Sequence, residues 1–351
     1  TSKIKHISIN DNSLYSGLTS DYIQAVFIDS KENVWAGSWD NGIYILEKGK
    51  RSFRNINTDN SNGELLSNAI LSFDEDKDGI IWIGTFYSGL NSFNPKTNEF
   101  KNHNTNQFEK YRITSSDVRK ILVSTDGAIW LGTTEGLFKI DKLNGDELNV
   151  VSFANRMSQT NNNQKSSNHI LSLYESSNGY IWIGTRGSGL CRYDKVKDEF
   201  KWYDKFSELN QENIASIIEG ENNELWIGGN SGISRLNLKT NEVINYNKSD
   251  GLLSDDFNFN AVLKDNDGTL YFGNYQGIDF FNPKDLKVNS KVPLLYLTGF
   301  KLFNTDVIPN IEESPLNKVI AETKSLELNH KQSVFTIEYM GINYTRPEKN
   351  Q

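Results

Sequence analysis

Of 351 residues, one is cysteine, two are methionine, four are histidine and six are proline. Cys191 has no second thiol with which to close a disulfide or a zinc site. It reads as a small half-buried strand residue and leaves the redox compartment open. His6, His103, His169 and His330 stand far apart, with neither an H-E-x-x-H pair nor a Cys/His cluster, so the common zinc motifs are excluded. No G-x-x-x-x-G-K-[ST] loop exists to cradle a phosphate, and no cofactor is implied. Basic residues number 37 against 45 acidic ones, a formal charge of −8, and no block of five or six Lys/Arg occurs. A nucleic-acid partner is therefore excluded for this chain. There is no apolar run of about 18 residues that could span a membrane, nor the charged-then-apolar opening of a signal peptide. Any membrane attachment is expected only through segments outside this sequence.

What the sequence does have is one phrase written six times. It reads VWAGSWDNGI (34–43), IWIGTFYSGL (81–90), IWLGTTEGL (129–137), IWIGTRGSGL (181–190), LWIGGNSGI (225–233) and LYFGNYQGI (270–278). The register residue is Trp35, Trp82, Trp130, Trp182, Trp226 and then Tyr271, at spacings of 44 to 52 residues. That period is the length of one four-stranded blade of a β-propeller. Each copy is preceded by an apolar run and an Asp/Asn-Gly or Asn-rich turn, and the glycine pairs (Asp78-Gly79, Asp126-Gly127, Asn178-Gly179, Asp267-Gly268) supply the positive φ of a tight hairpin. In IWIG, period two puts Trp182 and Gly184 on one face and Ile183 on the other, as blade-on-blade packing requires. The glycine-rich stretch at 181–190 therefore reads as framework.

These phrases, W-x-G-x(3–4)-G-[LI], resemble the two-component-regulator propeller repeats of the extracytoplasmic sensor region of gut-bacterial hybrid two-component systems. The resemblance covers roughly residues 1–285. After it, residues 280–307 look like that family's linker, and SVFTIEYMGINYTRPEKNQ (333–351) looks like an early strand of its immunoglobulin-like triple-tyrosine domain. The expected fold is all-β: a propeller of six recognisable blades, or a truncated ring of seven, over 1–288, then a truncated immunoglobulin-like β-sandwich over 289–351. The resemblance implies a non-enzymatic, periplasmic sensor region of an inner-membrane protein. It would detect glycan-derived oligosaccharides and signal to a histidine kinase carried elsewhere. Separately, the strands of the tail lack enough partners to cover Phe335, Ile337 and Tyr339, so the tail is expected either to pack back on the propeller or to pair with another chain, as a homodimer through the C-terminal domain. Two other classes stay open: a propeller enzyme such as a lyase or glycosidase, which would need paired carboxylates or a strongly perturbed His, and a protein-binding scaffold with a flat, apolar mouth.

If the strands alternate in direction, the loops between second and third strands share one end with the loops joining the blades. Framework positions repeat there while Trp39, Phe86, Tyr87, Arg186 and Tyr275 vary. So do the residues opening the inner strands, Asp21, Asn68, Asn168 and Asn260. Aromatic faces, amides, a carboxylate and an arginine suit a sugar, so these nine are the expected ligand contacts. Asp74-x-Asp76-x-Asp78-Gly79 begins like a calcium loop but has Thr85 where a bidentate Glu is needed. Residues 158–168, rich in Asn, Gln and Ser, read as a flexible insertion. Residues 3–9 resemble the outer strands, and are expected to pair with 277–282 and close the ring.

Overall fold

Each copy of the phrase becomes the second strand of an antiparallel sheet. The computed structural model describes residues 7–8, 15–103, 117–142, 148–160, 168–203, 209, 211–286, 294–312 and 314–342. Two compact units form, Thr1–Asp285 and Leu286–Gln351. In the first unit, five sheets of four strands pair in chain order: β1 (Ile23–Ile28), β2 (Val34–Ser38), β3 (Ile43–Leu46) and β4 (Arg54–Ile56); β5 (Ile70–Glu75), β6 (Ile81–Thr85), β7 (Leu90–Asn94) and β8 (Glu99–Asn102); β9 (Val118–Val123), β10 (Ile129–Thr133), β11 (Leu137–Lys142) and β12 (Leu148–Ser152); β13 (Ile170–Glu175), β14 (Ile181–Thr185), β15 (Leu190–Asp194) and β16 (Glu199–Tyr203); β17 (Ile214–Glu219), β18 (Glu224–Gly229), β19 (Ile233–Asn237) and β20 (Val243–Tyr246). A sixth sheet has three strands among the described residues, β21 (Phe257–Lys264), β22 (Leu270–Asn274) and β23 (Gly277–Phe281). The inner strands β1, β5, β9, β13, β17 and β21 neighbour one another in that order, the arrangement of propeller blades.

The blades are held by two devices. The first is apolar. Trp35, Ile43 and Ile45 of the first blade pack with Ile70, Phe73, Ile81, Ile83 and Phe93 of the second, and the same alternation of tryptophan face on isoleucine face recurs along the row. All five tryptophans of the phrase are buried. Their indole N–H groups need acceptors, and the residue six positions earlier supplies one: Asp29 for Trp35 (2.9 Å), Asp76 for Trp82 (2.7 Å), Ser124 for Trp130 (3.2 Å) and Ser176 for Trp182 (3.1 Å). Asp76, which opened the calcium-like pattern, is thus an indole acceptor that also pairs with Lys142 at 2.5 Å. In the fifth blade this position is Gly220, and Trp226 Nε1 is buried without a partner. Trp182→Phe should therefore cost about 1 kcal/mol more than Trp226→Phe, because only the former breaks a hydrogen bond. Urea unfolding midpoints of the two variants check this, and equal losses would remove the N–H from the account.

The second device is polar. Glu75 of the second blade accepts the Ser30 N–H (2.6 Å) and hydroxyl (2.7 Å) of the first. Glu175 does the same to Thr125, and Glu219 to Ser177. Each carboxylate holds the hairpin turn of the blade before it.

Two expectations are corrected, and a third falls mostly outside the described residues. Cys191 is fully buried rather than half-buried, among Trp130, Ile183 and Tyr193. The insertion begins in a helix, α1 (Ala154–Thr160), whose Met157 joins Phe153 beneath Trp130; residues 161–167 lie outside the described ones. Of the closing segment 3–9, residues 3–6 and 9 lie outside the described residues, and Ile7 packs with Leu18, Ala36 and Tyr44. The first and sixth blades present apolar side chains: Val26 (68% exposed) and Ile28 (62%) on β1, Leu263 (62%) on β21 and Phe280 (68%) on β23.

The second unit is a three-stranded antiparallel sheet in the order β25 (Thr305–Asp306), β24 (Leu294–Leu302), β26 (Phe335–Ile342). Phe300 is buried, while Phe335, Ile337 and Tyr339 are exposed. Among the described residues no helix is long and apolar enough to cross a membrane.

Candidate functional site

Hydrogen bonds fix the loops between second and third strands against the starts of the inner strands. Trp39 N–H donates to Tyr22 O, Phe86 N–H to Ala69 O and Arg186 N–H to His169 O, each at 2.9 Å. Gly187 and Gly189 then donate to Glu212 O at the entry to the next blade. Both sets of variable positions thus lie at one end of the blades, as alternating strand direction requires.

On this rim Trp39, Phe86 and Tyr87 form one aromatic wall. The Trp39 and Phe86 rings are 5.0 Å apart, and the Phe86 and Tyr87 rings 3.9 Å. Trp39 is 44% exposed and Tyr87 71%. Tyr87 is held at a left-handed φ of 67°, its N–H donating to Asp117 Oδ1 (2.9 Å). A bulky residue seldom adopts that backbone unless its surroundings enforce it. Further along, Arg186 and Tyr275 line a cavity of about 420 Å³ with Asn213, Asn230, Asp256 and Phe259. The Arg186 guanidinium lies over the Phe259 ring at 5.9 Å.

Arg119 borders the aromatic wall, and it is the residue that sequence reasoning missed. Each inner strand skips a residue in its pairing with the second strand. Val118 pairs with Thr133 and Lys120 with Gly132, leaving Arg119 in the bulge. Leu71, Leu171 and Ala215 are skipped in the same way. A bulge turns its extra side chain out of the ladder, a device common beside binding sites. Arg119 lies 5.8 Å over the Phe86 ring, and its Nε is buried without a hydrogen-bond partner. Asp117 stands 3.7 Å from it, beyond hydrogen-bonding distance. Burial holds its guanidinium below the ordinary value, Asp117 opposes that, and Arg186 adds to it. A signal existed in the repeats: at the position after the first apolar residue of each inner strand stand Gln24, Leu71, Arg119, Leu171, Ala215 and Asn258, and only one carries a charge.

His169 lies between the two arginines in its electrostatics. Its pKa falls to about 4, first through burial and then through Arg119 and Arg186. At neutral pH it is an uncharged imidazole. In the sixth blade the bulge widens to Asn258–Ala261, which brings Phe259 to the cavity and puts Asn260 at a φ of 56°.

The remaining expected contacts fare differently. Asn68 spends its side-chain oxygen on Thr58 N–H (2.9 Å), and so anchors a loop. Asp21 is exposed and Asn168 half-buried, and neither lines the cavity beside Arg186. A larger cavity, about 660 Å³, lies near the outer strands of the second blade, where Ser92 Oγ is 2.8 Å from His103 Nε2. It is remote in sequence position from the variable loops, being lined by outer-strand residues such as Glu99 and Lys101. Among the described residues no group of three His, Cys, Asp or Glu is placed to hold a metal.

Comparison with known proteins agrees with this architecture. Residues 64–87 and 164–187 match the family model for the two component regulator propeller. A protein named Histidine kinase P4 from Formosa agariphila is 27% identical over 352 residues, which is 97% of this chain and 25% of that protein. The chain thus spans a quarter of the length of the curated relative it matches. Among solved structures, the extracellular domain assigned to a hybrid two component system of B. thetaiotaomicron superposes with a TM-score of 0.58 at 18% identity, covering 92% of this chain and 43% of that one. A virginiamycin B lyase from Staphylococcus aureus superposes at 0.53 with 14% identity, covering 77% and 87%. At such identities these two likenesses concern the fold. With six copies of the phrase, blades built on its tryptophans and two segments matching the family model, the chain is a β-propeller whose repeats are similar to those of the two component regulator propellers.

Proposed function

We propose that this propeller is the periplasmic ligand-sensing part of a hybrid two-component histidine kinase, and that it detects an oligosaccharide released from a glycan. The observation that carries the reading is the aromatic wall of Trp39, Phe86 and Tyr87, bordered by Arg119, with the cavity at Arg186 and Tyr275 further along the same rim. Pyranose rings offer flat C–H faces to such a wall and hydroxyls to Asn213, Asn230 and Asp256. A concave surface that mixes aromatic rings with amides and charged groups suits a sugar better than it suits a scaffold that binds protein through a flat apolar patch. Signalling follows if the ligand binds one arrangement of the sensor more tightly than another, since equal affinity shifts no equilibrium. Pairing of two sensors through the exposed strand faces of the second unit would supply such arrangements.

Calorimetric titration of an oligosaccharide panel tests the site. Trp39→Ala, Arg186→Ala and Tyr275→Ala should each weaken the binding sugar about tenfold, while unfolding shifts by no more than about 0.5 kcal/mol. Normal binding by all three places the site elsewhere. His169 favours a second reading, a lyase-type enzyme, because a strongly perturbed histidine is what that class calls for. Its uncharged state at neutral pH suits hydrogen bonding to a ligand hydroxyl better than proton abstraction, for which a pKa near 7 serves best. Turnover of any sugar in the panel would favour the enzyme.

A further inference from the structure

Resting on the oligosaccharide reading above, we infer that the ligand is acidic, with a carboxylate or sulfate-ester group held between the guanidinium groups of Arg119 and Arg186. Three observations converge. Arg119 is placed by a strand bulge, with Nε buried and lacking an acceptor. A buried donor left unpaired costs about 1–3 kcal/mol, and an anionic oxygen arriving there would recover it. Arg186, on the next blade, is exposed, and among the described residues no carboxylate lies within ion-pair distance of its guanidinium. Finally, the two arginines stand on adjoining blades, where Arg186 N–H donates to His169 O and both guanidinium groups act on the His169 ring. Asp117, the nearest acid, is engaged by the Tyr87 N–H and stands 3.7 Å from Arg119. Asp256 lies in the cavity with Arg186, where it is suited to sugar hydroxyls.

The arrangement is a fork for one anionic group flanked by an aromatic wall. Guanidinium groups match carboxylate and sulfate oxygens in geometry, and partial desolvation strengthens the pairing. A neutral sugar would leave Arg119 Nε as it is.

The test titrates the 351-residue chain with a galacturonate hexamer, a chondroitin sulfate tetrasaccharide and maltohexaose. One or both acidic probes should bind at least tenfold more tightly than maltohexaose, and the advantage should shrink as salt rises. Which acidic probe prevails distinguishes carboxylate from sulfate. Arg119→Gln and Arg186→Gln should each remove on the order of tenfold to a hundredfold from the acidic probe and a clearly smaller factor from maltohexaose, so that the acidic preference collapses. Thermal unfolding of both variants checks folding, and Arg186→Gln, being on the surface, keeps the test valid if Arg119→Gln fails to fold. Binding of maltohexaose with no acidic preference overturns this inference and leaves the sensor reading intact. Failure of all three probes to bind overturns both.

Discussion

Gly184→Ala is expected to destabilise the first unit by about 3 kcal/mol, the upper end of the cost of overpacking a well-filled core. The backbone φ at this glycine is ordinary, so the demand is one of space. A Cβ here would overlap Ser172 Oγ on its own inner strand and lie 2.6 Å from both Cγ2 and the carbonyl oxygen of Ile214 on the next blade. Neither neighbour can yield easily. Ser172 donates to Ile214 O at 3.0 Å, and Ile214 is wholly buried. Gly37, Gly84 and Gly132 meet the same obstruction from their following blades, and Gly228 meets it chiefly from Ser216 of its own blade. Gly187, three residues on, gives the contrast. A Cβ there meets nothing within 4 Å, and only its left-handed φ of 87° opposes substitution, at about 1 kcal/mol. Urea unfolding of the two variants should therefore separate them by about 2 kcal/mol. Equal losses would mean that blade spacing tolerates a methyl group and that this glycine serves something else.

Glu175→Ala should cost about 2 kcal/mol, typical of losing hydrogen bonds to a buried charged group. Its carboxylate, 7% exposed, accepts the Thr125 N–H at 2.7 Å and hydroxyl at 3.0 Å, and the Lys195 ammonium at 2.6 Å. Without it the Thr125 turn loses its hold on the fourth blade and Lys195 keeps only Asp126, at 3.0 Å. The pH dependence of the wild-type cluster follows from its two shifted members. Burial pushes Asp126 up, but the Ser124 hydroxyl and Lys195 outweigh it, so its folded value lies below the ordinary 3.8. Its contribution is complete above that value and is lost as pH falls through the folded one. Burial pushes Lys195 down, but Glu175 and Asp126 win, so its folded value lies above the ordinary 10.5. Its contribution is complete below 10.5 and is lost as pH rises through the folded value. The clamp is thus fully formed between roughly pH 4 and 10. Denaturant melts of wild type and Glu175→Ala across that window should stay a constant distance apart, and a gap that closes at pH 7 would contradict the clamp.

The blades themselves were legible in the sequence because their determinants are local and repeated. Tryptophan and glycine on one face, isoleucine on the other and a positive-φ turn before them specify a hairpin, and six copies specify a row of them. The same locality made the variable loop positions visible, and the structure brings Trp39, Phe86 and Tyr87 into contact across two blades. Partnership between blades was not legible. Whether Glu175 holds Thr125, or Asn68 faces a ligand or merely Thr58, depends on which residues from 10 to 50 positions away arrive alongside. Arg119 makes the point most sharply. In a plain alternating strand it would take the face opposite Val118 and Lys120 and point at a neighbouring blade. The skipped pairing between Val118 and Lys120 releases it from that alternation. Sequence periodicity fixes which face a residue takes only while the register is unbroken. A bulge is decided by how the inner strand fits against its partner and the adjoining blade, and so by the tertiary structure alone.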